Sequence, residues 1–199
     1  MAVHRPVRLP LPSFAASALP VRTLENFEFR RLHESGRDPI YFGLNPGHRF
    51  SHPQGRCGLL YLAATVNTCI WERFGDDILN PGSPVPRSVW IQRQLSKIRV
   101  SKVRVCDLTD ENVRAQVGVD LSALHHTDLS VPQAWGLAVQ DHPNFYDGLL
   151  YPSRLDGLRC LALFDRPGLR DGLAVLSTVD LVASDEANAF LLEKQIALL

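Results

Sequence analysis

A chain of 199 residues with 45% hydrophobic content can bury one sizeable core and is short for two complete domains. Lysine plus arginine number 21 and aspartate plus glutamate number 21, so no global field draws the chain to nucleic acid or to an anionic membrane. Cys57, Cys69, Cys106 and Cys160 show no short metal-ligand spacing, and Pro10, Pro12, Ser13 and Pro20 break the only apolar stretch near the N-terminus. Reduced core thiols in a cytoplasmic protein without signal peptide or membrane span are therefore expected.

Residues 1–20, rich in proline, alanine and serine without a period, read as an irregular arm, and residues 21–199 as the domain. Residues 26–33 alternate apolar and polar as a half-buried strand does, which puts Arg31 and His33 on one face. After a polar turn, residues 40–43 can extend before a loop over 44–55 that is punctuated by Pro46, Gly47, Pro53 and Gly55. Residues 58–63 form a buried strand bearing Tyr61. Thr65 is placed to cap a helix with Val66, Cys69, Ile70 and Phe74 on its inner face, ending at Gly75 and carrying Glu72.

Further along, helices are expected over 87–95, 110–117 and 132–140, and a strand over 102–108. Two strands, 147–153 and 158–164, flank a turn at 154–157, and the tail 185–199 is amphipathic and helical. Short strands mixed with short helices, with no strand-helix-strand rhythm, no GxGxxG and no Walker loop, favour an α+β fold. His125, His126 and Asp128 could suggest a metal, but adjacent side chains diverge and no third ligand closes the site, so a polar loop is expected.

Taken in order, Arg31-Leu32-His33, Asp38-Pro39-Ile40-Tyr41-Phe42-Gly43, Arg49-Phe50, Leu60-Tyr61-Leu62-Ala63, Glu72 and Tyr151-Pro152-Ser153-Arg154 resemble the successive blocks of the RES domain, over residues 31–164. The resemblance implies a single compact α+β domain similar to the diphtheria-toxin-like ADP-ribosyltransferases, with a cleft for NAD⁺. It implies NAD⁺ degradation by a toxin whose partner is an Xre-type helix-turn-helix antitoxin, and a catalytic set of Arg31, Glu72 and Ser153.

Expelling nicotinamide leaves positive charge on the ribose, so a carboxylate is wanted there, as in glycoside cleavage. Glu72 is the candidate, and its plainer reading is an exposed helix carboxylate beside Arg73. The pyrophosphate asks for guanidinium forks, offered by Arg31 and Arg49. Arg30, next in sequence, leaves open which of the pair faces the cleft. Tyr61 either caps core packing or gives a ring face to nicotinamide or ribose. Ser153 either positions substrate or bonds within its turn, and no Gly-x-Ser-x-Gly elbow makes it a nucleophile. His33 either helps bind a phosphate or packs at a strand edge. The expected function is an NAD⁺ glycohydrolase or phosphorylase without a metal; the alternatives are a mono-ADP-ribosyltransferase and a catalytically silent interaction domain.

Overall fold

The computed structural model describes residues 7–80 and 85–199. β1 (Arg22–Glu34) is longer than its alternation suggests because Asn26 takes a left-handed backbone, φ 57°. Asparagine tolerates that conformation better than most residues. The reversal flips the strand's faces, so Leu24 and Phe29 enter the same cluster although they are five positions apart, an odd offset that would otherwise put them on opposite faces.

β1 pairs antiparallel with β3 (Arg93–Asp107) from Arg22↔Val105 to Glu34↔Arg93. It also meets β2 (Leu59–Ala63) at Arg30↔Ala63. β2 pairs with β5 (Arg159–Phe164), β5 with β4 (Gly148–Pro152), and β4 runs parallel to the end of β3, so the pairings close into a ring. β6 (Leu173–Asp180) extends the sheet along the first half of β3. Residues from all five ring strands, among them Phe29, Leu62, Ile98, Leu150 and Leu161, fill one apolar cluster. The alternate residues Leu59, Ala63, Leu149, Cys160 and Phe164 face the other way. There they meet α1 (Val66–Leu79), α5 (Ser130–Gln140) and α6 (Asp185–Glu193) through Ile70, Trp135 and Phe190.

Thr65 does cap α1, its side chain accepting from the Thr68 amide. The helix then continues through Gly75 to Leu79 instead of stopping at the glycine. Gly75 gives space to the β4–β5 turn: a Cβ there would lie 2.0 Å from Leu155 Cδ1. The helix expected over 87–95 is only one turn, α2 (Arg87–Trp90), and β3 begins at Arg93 because the whole length of β1 is available to pair with it. Tertiary pairing overrides local propensity here. α3 (Glu111–Val117) is capped by Asp110, and the short α4 (Leu121–Leu124) follows it. The expected tail helix ends at Glu193, where Gln195 turns left-handed at φ 54°. Residues 40–43 reach the sheet through a single bridge, Gly43↔Leu59.

Of the arm expected over residues 1–20, residues 1–6 lie outside the described residues, and the rest is extended chain around one short 3-10 turn, Pro12–Ala16. It is nonetheless fastened. Phe14 and Leu19 are buried, Trp135 Nε1 donates to Arg8 O at 3.0 Å, and Asn144 Nδ2 donates to Leu19 O at 2.9 Å. Among the described residues no helix is long and apolar enough to cross a membrane. Strands and helices together make a single compact α+β domain.

Candidate functional site

The loop over 44–55 is shaped by what lies beneath it. Gln133 of α5 donates from Nε2 to Pro46 O at 2.6 Å and to His48 O at 3.2 Å. One helical turn on, Gly136 lets the loop backbone approach so closely that a Cβ would sit 2.5 Å from Phe50 O. From the sheet side Tyr61 Oη accepts the Phe50 amide at 3.0 Å, while the buried Phe50 ring packs edge-on to Tyr151. Arg49 is thus held from both sides.

Its guanidinium meets Glu72 from α1, with Nη1 3.9 Å from Oε2. Both side chains are about a quarter exposed or less, at 21% and 26%. Arg49 Nη1 is buried and makes no hydrogen bond. One turn before Glu72 on α1, the Thr68 hydroxyl donates to Asp156 Oδ2 at 2.8 Å and ties the helix to the β4–β5 turn. Arg154 of that turn also pairs with Asp76 of α1.

Around this pair opens a cleft of about 520 Å³, walled by Tyr61, Tyr151 and Cys160. Arg30, Arg31, Arg37, Arg49 and Arg73 line it, and among the described residues Glu72 is its one carboxylate. That balance favours a polyanion carrying a group with local positive charge. Burial pushes the Tyr61 phenol up to about 12, so it remains protonated. His48, edge-on to Tyr61, is lowered by the same desolvation and stays neutral at pH 7. Burial likewise pushes the Cys69 thiol to about 12, which leaves it inert.

Arg31 and Arg30 divide their work by strand parity. Arg30 pairs with Ala63 and so shares the face of Tyr61, lining the cleft from β1. Arg31 lines the cleft too, but its guanidinium donates to Pro39 O and, at 2.9 Å, to Tyr41 O. Desolvation lowers it to about 10, opposed chiefly by Asp38, and it keeps its charge at neutral pH.

The other two expected site residues lie off the cleft wall. His33 is buried, with Nδ1 3.0 Å from Glu34 O and Nε2 2.8 Å from Ser96 Oγ, which continues to Thr178. Ser153, 2% exposed, accepts the Leu155 amide at 3.4 Å and bonds through its own amide to Leu158 O. Sequence reasoning did not pick out Tyr41, His48 and Tyr151, which the fold brings to the cleft. Each carried a signal: Tyr41 and Tyr151 stand inside the family-like blocks, and His48 beside Arg49 in the glycine-flanked loop. His125 sits against Pro152 O at 2.8 Å, and among the described residues no group of three or more His, Cys, Asp or Glu could hold a metal.

No curated protein matches the sequence. Four chains of solved structures do. One of them, from the crystal structure of the M. tuberculosis MbcT–MbcA toxin–antitoxin complex, is similar at 25% identity and a TM-score of 0.63. The match covers 79% of this chain and 86% of that one. The model of the RES domain matches residues 28–184, well over half of the length and including every cleft residue described above. The chain belongs to the RES domain family.

Proposed function

We propose that this chain degrades NAD⁺ by cleaving the bond between nicotinamide and ribose, as the toxin of a toxin–antitoxin pair. The observation that carries the reading is the Arg49–Glu72 pair, whose buried guanidinium nitrogen makes no hydrogen bond, in a cleft lined by arginines. Pockets of 300–1,000 Å³ typically hold small molecules, and about 520 Å³ lies within that range. A ring of strands flanked by helices is also compatible with a fold like that of the diphtheria-toxin-like ADP-ribosyltransferases.

In this reading Arg49 and Arg30 bind the pyrophosphate, and the Glu72 carboxylate takes a ribose hydroxyl and faces the charge that grows on the sugar. The C–N bond breaks, and nicotinamide leaves as a neutral molecule with the bonding pair. Water, losing a proton, or inorganic phosphate then adds to the ribosyl carbon. Tyr61 holds Phe50 and hence Arg49 in place and offers its ring edge to the sugar. Arg31 acts by fastening residues 39–41, and Ser153 and His33 act from behind the wall as positioning residues.

The assembly of the solved neighbour into a toxin–antitoxin complex supports an antitoxin for this chain, of the Xre helix-turn-helix type that its family resemblance implies. Purified protein incubated with NAD⁺, with and without phosphate, tests the chemistry. Release of nicotinamide with ADP-ribose indicates a hydrolase; release that requires phosphate and gives a phosphorylated ADP-ribose indicates a phosphorylase. Label passing from NAD⁺ to a protein would replace both with a transferase.

A further inference from the structure

Tyr41 stands at the mouth of the cleft with 42% of its surface exposed, on backbone tied down by side-chain hydrogen bonds. Arg31 takes the carbonyls of Pro39 and Tyr41, and the Ile40 amide donates to Asp38 Oδ1 at 2.8 Å. Two residues further, Gly43 is bridged to Leu59, and a Cβ on it would approach the Tyr41 ring to 3.6 Å. Arg37 lies over the ring, 5.2 Å from its centroid, and is itself held by Glu34 at 3.0 Å. An exposed phenol on a mobile loop would be unremarkable; a ring presented on a braced ledge, backed by a guanidinium, is a stacking platform.

The deep end of the cleft belongs to Glu72, Tyr61 and Tyr151, the last two of them tyrosines whose burial pushes both phenols up. A dinucleotide whose nicotinamide ribose reacts at Glu72 must run its other half outward, past Arg30 and Arg31, to the mouth. We infer that Tyr41, with Arg37 behind it, stacks the adenine base of the substrate and makes the cleft select dinucleotides over nicotinamide mononucleotide. The inference rests on the NAD⁺ reading above.

Titration calorimetry with ADP-ribose and with ribose 5-phosphate, on wild type, Tyr41→Ala and Tyr41→Phe, separates the two claims. Nicotinamide release from NAD⁺ and from the mononucleotide is followed on the same proteins. Tyr41→Ala should weaken ADP-ribose binding and raise KM for NAD⁺ by about tenfold or more, the usual scale for losing a base–aromatic stack. Its kcat, its ribose 5-phosphate affinity and its turnover of the mononucleotide should not change. Tyr41→Phe, which keeps the ring, should behave as wild type.

Unchanged ADP-ribose affinity in Tyr41→Ala overturns the inference, even where NAD⁺ is cleaved. ADP-ribose binding that depends on Tyr41, without nicotinamide release, supports the platform and removes the cleavage reading. Absence of any ADP-ribose binding to wild type overturns both.

Discussion

Arg49 Nη1 stands 3.9 Å from Glu72 Oε2, near enough to attract and about 1 Å longer than a charge-assisted hydrogen bond. The two charges hold one another in place without satisfying one another. A buried donor left unmatched costs roughly 1–3 kcal/mol, and a phosphate oxygen entering the cleft would recover part of that. The pair is therefore open toward ligand, and its partners in the fold are the ones to perturb.

Arg49→Lys keeps the charge and removes the planar fork. If the guanidinium grips a pyrophosphate, kcat/KM for NAD⁺ should fall by roughly 10- to 100-fold, corresponding to about 1–3 kcal/mol. Steady-state kinetics of nicotinamide release read this directly. A lysine enzyme as efficient as wild type would show that only a point charge is needed.

Gly136→Ala tests the seating of the loop on α5. In an isolated helix the change would gain up to about 1 kcal/mol. Here the added Cβ meets the Phe50 carbonyl, and overpacking of that kind costs about 1–3 kcal/mol. Urea unfolding should show lower stability, and kcat/KM should drop with it because Arg49 precedes Phe50. A more stable variant with full activity would mean that the loop is not seated on α5 as described.

His33, His48 and His125 all have their protonation depressed, in each case mainly by burial away from water. In the unfolded chain such groups take up a proton near 6.5; in the folded chain they resist it. The unfolded state then binds more protons, so stability is full above pH 6.5 and is lost as the pH falls through and below it. Asp120, also depressed, contributes in the same sense only around and below its unfolded value of 3.8. Melting temperatures taken from pH 8 to pH 5 should decline over the lower half of that interval. A flat or rising profile would remove the histidines from the account.

How much of this was legible beforehand depends on the kind of signal. The Thr65 cap, the hairpin of β4 and β5, and the α3 cap at Asp110 follow from local rules and are where those rules put them. β6 was missed, although its Leu173–Asp180 run is rich in β-branched residues, because its place depends on pairing with a distant β3. The same long-range pairing turned residues expected to be helical into the start of β3.

At the site, Glu72, Arg49 and Tyr61 could be named from residue type and order and meet in one cleft. The division of labour between Arg30 and Arg31 could not, since it depends on the left-handed Asn26 and on which carbonyls lie within reach of Arg31. Tyr41 stood inside a family-like block, but its place at the cleft was not legible, because its exposure has meaning only on backbone held by Arg31.

The central claim is that Glu72 serves the cleavage of NAD⁺, and the most direct test is nicotinamide release by wild type beside Glu72→Gln. The substitution keeps shape and hydrogen bonding and removes the charge that faces the developing cation. Wild type should release nicotinamide, and the glutamine variant should be slower by about 10²-fold or more with an unchanged melting profile. Intact NAD⁺ with wild-type protein, or equal rates for the two, would contradict the account.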